Sequence, residues 1–180
     1  MLNLDTLMNM TECASKGATR QYLQGVYVED NGQTYVATDG TVMAVWRGMP
    51  RVEGLANVII KTEAIKAAWK GYSKKVKDKN VRLEGTSLVT DTMTINNALI
   101  DAVFPNYQAV MPKSGDLEKQ CGIFGIAPDN FAKVAAAAGV ERYKVHCYDV
   151  ASPLVVTLFS NDAFTGLVMP VNIPNVKKGA

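Results

Sequence analysis

The spacing of apolar residues changes at regular intervals along the chain. Spacings of three and four residues predict short amphipathic helices that begin near Asp5, Glu63 and Asp129. After each of these, short runs of alternating apolar and polar residues end at Gly, Asn, Asp or Pro, which is typical of strands joined by tight turns. The predicted helices lie roughly sixty residues apart, so the pattern predicts a repeated unit of one strand, one helix and three strands.

The first two predicted helices have recognisable N-terminal caps. The first helix is predicted over residues 2–16, with Asn3 or Asp5 as its cap. The second is predicted over residues 63–72, with Thr62 as its cap. Both helices are predicted to be amphipathic, with their apolar residues on one face.

A stretch over residues 35–46 is the clearest hairpin in the chain. Apolar residues fill both arms, and the polar residues 38–41 lie between them. Gly accepts a positive φ and Asp can bond nearby backbone N–H groups, so Asp39 followed by Gly40 predicts a tight turn. Other strands are predicted at residues 20–29, 58–60, 81–84, 87–89 and 93–98.

A third repeat is predicted after a break in this pattern. Pro112–Asp116 combines Pro, Gly and charge, which is typical of a linker. A strand is predicted over residues 122–126, and the third helix begins at Pro128 or Asp129 and ends at Gly139. The last three strands are predicted at residues 143–150, 154–159 and 164–171.

Composition indicates an ordinary globular chain. It has 180 residues, of which 48% are hydrophobic and 20% charged, with a net charge of +2. No basic N-terminal region precedes an apolar run, and no apolar stretch is long enough to span a membrane. The three cysteines form no CxxC pair, so we expect small buried thiols in a reduced, cytoplasmic chain.

Candidate chemistry is sparse. No nucleophile elbow, phosphate loop or carboxylate pair is present, and a zinc site lacks ligands because His146 is the single histidine. His146 falls in a predicted strand and is expected to be a packed or surface residue. Asp39, Asp91 and Asp101 are isolated near turns, where bonding to the backbone is expected. The sequence therefore predicts no catalytic residue, metal or cofactor, and an enzyme on an unrelated α+β fold is the less favoured class.

Four short motifs follow one another along the chain. They are Leu23-Gln24-Gly25-Val26, Ala37-Thr38-Asp39-Gly40, Phe104-Pro105-Asn106-Tyr107 with Met111-Pro112, and Val168-Met169-Pro170-Val171. Each motif is weak alone. In their order and spacing, over nearly the whole chain, they resemble the bacterial DNA polymerase sliding clamp family (the beta subunit of DNA polymerase III).

The resemblance implies an α+β clamp fold in shortened form. The family's chain has three domains, each of two strand–helix–three-strand repeats. Here residues 1–113 resemble one complete domain of two repeats, and residues 121–173 resemble half a domain of one repeat. Residues 114–120 would be the linker and residues 174–180 a tail.

The resemblance also implies that helices line a hole around duplex DNA and attract its phosphates without sequence preference. The residues that would bind DNA are Lys16, Arg20, Lys66, Lys70 and Lys133. Lys66 and Lys70 are four residues apart and are therefore neighbours on one helix face. The alternative is that these cations lie on an ordinary solvated helix surface. In the same way, the basic residues over positions 74–79 fit an ordinary polar loop.

A second implied site is a hydrophobic pocket for short peptides of partner proteins, such as a DNA polymerase or a clamp-loader-type protein. The residues that would line it are Thr38, Gly40, Val42, Met43, Pro112, Leu167, Val168 and Met169. Flexible methionines beside a small glycine suit an adaptable apolar groove. The alternative for Met43 and Met169 is ordinary core. The family usually has His-Arg where this chain has Thr41-Val42, which bears on partner specificity.

Half a domain leaves a sheet edge and an apolar helix face unpaired, so the chain is expected to form a homo-oligomer. Four copies would supply twelve repeats, the number in the family's ring, so a tetrameric ring is the hypothesis. Folding of the third repeat back onto the first domain, as a monomer, is the alternative. For function, a sliding clamp competes with a clamp-derived adaptor or decoy that binds clamp partners or the host clamp without encircling DNA.

Overall fold

The computed structural model describes residues 1–17, 19–73, 75–112, 125–147, 152–159 and 162–171. The helices of this part of the chain are α1 (Leu4–Met10), α2 (Thr62–Gly71) and α3 (Pro128–Ala138). The strands are β1 (Leu2–Asn3), β2 (Gly25–Glu29), β3 (Thr34–Thr38), β4 (Val42–Trp46), β5 (Val58–Lys61), β6 (Asn80–Glu84), β7 (Ser87–Val89), β8 (Thr94–Ile95), β9 (Leu99–Ile100), β10 (Tyr143–His146), β11 (Leu154–Leu158) and β12 (Phe164–Val168). Short 3₁₀ turns cover Thr11–Cys13, Gln21–Leu23 and Tyr107–Val110.

The strands form two antiparallel sheets. The larger has eight strands in the order β10-β11-β12-β4-β3-β2-β5-β9, and the smaller has the order β1-β6-β7-β8. Within the first two repeats, the strand that precedes each helix pairs with the other repeat. Thus β1 pairs with β6 and β5 pairs with β2. This reciprocal exchange joins the two repeats into one unit.

The third repeat continues the larger sheet, because β12 pairs along its whole length with β4. The helix of this repeat also contacts the first repeat. The indole N–H of Trp46 donates to the carbonyl of Ala137 at 3.0 Å, and the Trp46 ring lies 5.4 Å from that of Phe164. The boundaries at residues 113 and 121 stay a prediction, because residues 113–124 lie outside the described part.

Two apolar cores lie on opposite faces of the larger sheet. The core under the helices contains the fully buried side chains of Leu7, Tyr35, Ile65, Val134 and Phe164, among others. Since α1 packs against both α2 and α3, the three helices form one layer. This arrangement confirms the predicted α+β class of helices on antiparallel sheets.

The outer core lies on the other face, under the segment 104–111. The ring of Phe104 stacks on Tyr27 with centroids 4.8 Å apart, and the Tyr107 hydroxyl donates to the Glu29 carboxylate. Met43 and Leu167 belong to this core. The segment therefore covers the sheet on the side away from the helices.

Most predicted elements are confirmed, with four corrections. The first helix ends at Met10 and continues only as a 3₁₀ turn; its Asn3 cap is confirmed by a 2.7 Å bond from the Thr6 N–H. Thr62 is not a cap, because its hydroxyl donates to the carbonyl of Gln24 at 2.7 Å. The strand predicted over residues 20–29 begins at Gly25, after a 3₁₀ turn.

The strand predicted over residues 93–98 is also wrong in extent, since it covers only Thr94–Ile95. The reason is local: the Thr90 hydroxyl accepts the Met93 N–H at 3.0 Å, and Asn97 has a left-handed φ of 52°. Both features bend the chain. In the third repeat Pro128 begins α3, and Gly139 ends it with a φ of 65°, as predicted. Of the predicted strand over residues 122–126, only Gly125 and Ile126 are described.

No helix in the described ranges is long and apolar enough to cross a membrane. Cys13 is a buried free thiol, and burial, with the Asp39 charge adding to it, raises its pKa to about 12. Cys147 is disulfide-bonded, so the expectation of reduced thiols is wrong for that residue.

Candidate functional site: the hairpin junction and the helix layer

The predicted pocket residues of β4 and β12 lie side by side. Val42 is directly opposite Val168, and Met43 is directly opposite Leu167. The N–H of Met169 then donates to the carbonyl of Thr41 at 3.0 Å, which extends the pairing one step past the end of β12. The structure therefore brings together two segments that are over a hundred residues apart in the chain.

The turn between β3 and β4 is held by its own side chains. Asp39 Oδ1 accepts from the backbone and hydroxyl of Thr41 at 2.8 and 2.7 Å and from the Val42 N–H at 3.0 Å. The Thr38 hydroxyl donates to the carbonyl of Val42 at 2.6 Å and accepts from the Gly40 N–H at 3.1 Å. Gly40 has a φ of 94°. The turn is thus a preformed element that needs glycine at its tip.

A cation from the third repeat completes this turn. Lys133 Nζ lies 2.7 Å from Asp39 Oδ2. Burial acts to raise the pKa of Asp39, but hydrogen bonds from Lys133, Thr41 and Val42 outweigh it, and the net effect is a lowered pKa. Lys133 was predicted to bind DNA; in this structure it is engaged by a carboxylate at the junction.

The predicted pocket residues differ in exposure. Val42, Met43, Leu167 and Val168 are each at most 5% exposed, so their side chains are core, whereas Met169 is 44% exposed. Gly40 is exposed, and Thr38 and Pro112 are half-buried. The residues of this set that are open to a ligand are therefore Thr38, Gly40, Pro112 and Met169. Met43 and Leu167 belong to the outer core, and Val42 and Val168 belong to the core under the helices, so the buried four point to opposite faces of the sheet.

Arg20 lies at the junction and not on a helix. A Cβ atom added at Gly40 would lie 3.0 Å from Arg20 Nη1. The residue precedes the 3₁₀ turn Gln21–Leu23 and is exposed. Sequence reasoning assigned it to the DNA face because it follows the first helix, and no spacing signal reveals its proximity to the hairpin tip.

The other predicted DNA-binding residues lie near α2. Lys70 is exposed and Lys66 is half-buried on this helix, and Lys16 is exposed in the segment after the first 3₁₀ turn. Lys16 and Lys66 line one groove of about 720 Å³, together with Lys61, Glu63 and Asp101. The structure thus places Lys16 and Lys66 along the same groove, which has charges of both signs.

The three described helices carry equal numbers of basic and acidic residues. The basic ones are Lys66, Lys70 and Lys133, and the acidic ones are Asp5, Glu63 and Asp129. Asp5 accepts from the Trp69 indole N–H at 2.9 Å and pairs with Lys79 Nζ at 3.3 Å. Lys79, from the basic loop, is therefore a packed residue that ties α1 to α2.

The described residues contain no group of three or more His, Cys, Asp or Glu side chains that could hold a metal ion. His146 Nε2 lies 3.0 Å from the Thr157 hydroxyl on the neighbouring strand. This is the packed surface position that the sequence predicted.

Comparison with protein-family models and with curated proteins finds no match to this sequence. Solved structures do match. The DNA polymerase sliding clamp from Pseudomonas aeruginosa has a TM-score of 0.73 and 19% identity over 94% of this chain and 64% of its own. The sliding clamp from Bacillus subtilis has a TM-score of 0.72 and 14% identity over 94% and 62%.

The DNA polymerase III beta subunit from Thermotoga maritima has a TM-score of 0.68 and 17% identity over 96% of this chain and 65% of its own. The chain thus spans a little under two thirds of the length of the clamps that it matches. At these identities the likeness concerns the fold. The chain has the fold of the DNA polymerase III beta sliding clamps over the part of them that it covers.

Proposed function

We propose that this protein is a non-catalytic sliding-clamp-type processivity factor that assembles from several copies of the chain around duplex DNA. The observation that carries this proposal is the single helix layer on one face of a sheet that runs unbroken from the third repeat into the first two. A continuous sheet with helices on one face can form part of a ring with the helices inside. Its working compartment would be the cytoplasm, where polymerases and clamp-loader-type proteins act.

DNA contact would come from Lys16 and Lys66, which line the groove, and from Lys70 on α2. Lys70 is exposed, and the half-buried Lys66 lines the groove. A sequence-independent contact of this kind weakens as salt rises, because each phosphate contact releases counterions. Lys133 would contribute less than its position on a helix suggests, since Asp39 neutralises it.

The direct test is retention on DNA of different topology. A closed ring stays on a nicked circular plasmid during gel filtration and slides off after the plasmid is linearised. The experiment needs a loading step with a clamp loader or spontaneous ring opening at high protein concentration. Equal retention on both templates, or on neither, contradicts an encircling clamp.

Charge reversal tests the proposed DNA face. K70E alone, and K66E with K70E, should weaken binding to duplex DNA and lower the slope of log K against log salt by about one for each phosphate that is no longer neutralised. R82E is the matched control: Arg82 alternates with the buried Val81 and so lies on the outer face of the smaller sheet, where it is half exposed. An equal effect of R82E would mean that the helix face has no special role.

The junction of β4 and β12 would bind partner peptides with a hydrophobic end. Support comes from the exposed Met169 beside the preformed Gly40 turn, to which its N–H is bonded through the carbonyl of Thr41. M169K should lower the affinity for such a peptide by at least tenfold. M93K is a matched control, because Met93 is similarly exposed, at 39%, and lies away from the junction, in the turn before β8.

A second candidate function is an adaptor or decoy that binds clamp partners without encircling DNA. The balanced charge of the three helices favours it, because a clamp interior needs a net attraction to phosphates. It predicts peptide binding that depends on Met169, with no retention on circular DNA and no effect of K66E/K70E. The two candidates therefore differ in both DNA experiments.

A further inference from the structure

Strand β10 is the last strand of the larger sheet among the described residues. It pairs with β11 on one side, and none of the described strands pairs with its other side. Backbone N–H and C=O groups along a free edge can template another strand. The edge is short, with four residues, Tyr143–His146.

The two complete repeats show what occupies the equivalent edge. In each repeat the first strand after the helix, β2 or β6, is paired on this side. Its neighbour is always the strand that precedes the helix of the sister repeat: β5 lies beside β2, and β1 beside β6. The third repeat has the corresponding strand β10, but its sister is absent from the described part of the chain.

The helix-side face of β10 is also less covered than that of β2. Tyr143 faces α3, where its ring meets Phe131 at 5.4 Å. Val145 points to the same side, because side chains alternate along a strand, and it is 43% exposed. The matching residues of β2, Val26 and Val28, are both 0% exposed. An apolar position that is fully buried in the paired strand β2 is therefore exposed in β10.

We propose that a second copy of this chain supplies the missing sister repeat. The segment Gly125–Ala127, just before α3 of each copy, would pair with β10 of the other, as β5 pairs with β2. Gly125 already bridges Val171 on one side, and a strand has a second edge. The exchange is reciprocal, so one two-fold axis satisfies both copies.

A second copy is preferred over an unrelated protein because this chain carries both halves of the exchange. It has the acceptor edge at β10 and the donor segment before α3. The inference rests on the proposed function in that it names the partner through which the chain would assemble, but its evidence is the internal pairing of the repeats. It predicts a composite domain formed by two third repeats.

Light scattering with a surface variant tests this assembly. The wild-type chain should have a mass of two or four times 19.5 kDa. V145E places a charge on the open face and should give single chains, or weaken association at least tenfold. V103E is the matched control, since Val103 is 90% exposed on the segment beyond the sheet, and it should assemble like the wild type.

Hydrogen exchange gives an independent measurement that does not depend on a variant. The amides of residues 143–146 that point away from β11 should be protected in the wild type and lose protection on dilution to single chains. A wild-type monomer at tens of micromolar, an unchanged mass for folded V145E, or unprotected edge amides in an oligomer would each overturn the inference. Capture of a different protein by a monomeric chain would overturn it as well.

The outcomes separate this inference from the proposed function. An oligomer that V145E dissociates, but that is not retained on circular DNA, would leave the composite domain standing and remove the clamp. A ring that is retained on circular DNA and is insensitive to V145E would support the clamp and contradict the composite domain. Circular dichroism of V145E establishes that loss of assembly is not loss of folding.

Discussion

Lys133 Nζ lies 2.7 Å from Asp39 Oδ2, across 94 positions of sequence. The lysine belongs to the helix of the third repeat, and the aspartate to the hairpin turn of the first. Both side chains are largely buried, at 31% and 15% exposure. This ion pair therefore fixes the third repeat against the same turn whose tip lies beside Met169.

Removing the ion pair should loosen the junction. K133Q leaves the Asp39 carboxylate without its cation, and we expect the free energy of unfolding to fall by about 1–2 kcal/mol, within the range for charged hydrogen bonds that are partly screened. Urea unfolding followed by Trp fluorescence measures this. K70Q removes an exposed lysine from α2 and should change stability by less than about 0.5 kcal/mol.

The same pair predicts a dependence of stability on pH. The pKa of Asp39 is lowered in the folded protein, against about 3.9 in an unfolded chain. Its contribution is therefore complete above the unfolded value and is lost as pH falls through the lowered folded value. The difference in urea midpoint between wild type and D39N should be constant from pH 7 to 5 and shrink below about pH 4. A difference that grows on acidification would contradict this assignment.

The tip of the hairpin should require glycine. Gly40 has a φ of 94°, so G40A would strain the turn by about 1–3 kcal/mol, and its Cβ would also meet Arg20 Nη1 at 3.0 Å. Gly17 is the control, because it has no positive φ and its nearest contact for a Cβ is 3.8 Å away. G17A should be neutral or slightly stabilising. If thermal unfolding showed an equal loss of stability for both variants, the turn would not require glycine at its tip.

Local sequence signals were sufficient for much of this fold. Asp39-Gly40 indicated the turn through glycine's tolerance of positive φ, and Pro128 and Gly139 marked the ends of α3 because each residue restricts or permits one backbone region. Thr62 was misassigned for the opposite reason. Its hydroxyl is drawn to Gln24, a contact that depends on tertiary structure.

The candidate site was less accessible to sequence reasoning. The resemblance indicated that the hairpin and the last strand meet, and the structure adds that Met43 and Leu167 are buried in the outer core, whereas Met169 is exposed. No periodicity could have paired Lys133 with Asp39 or brought Arg20 beside Gly40. The first relation depends on how α3 packs against the hairpin, and the second on the course of the chain before the 3₁₀ turn Gln21–Leu23; tertiary structure sets both.

The contact of α3 with β12 should depend on the absence of a side chain at Gly166. A Cβ atom there would lie 2.2 Å from Val134 Cγ1 and 3.2 Å from the Phe164 ring. G166A should therefore destabilise the protein by about 1–3 kcal/mol through overpacking.

V134A removes the obstructing methyl groups and, alone, should cost a similar amount by leaving a cavity at a fully buried position. Because the new methyl of G166A fills part of that space, the double variant should be more stable than the sum of the two losses predicts, by at least about 0.5 kcal/mol in a urea double-mutant cycle. Strict additivity would mean that α3 does not pack on β12 through these residues.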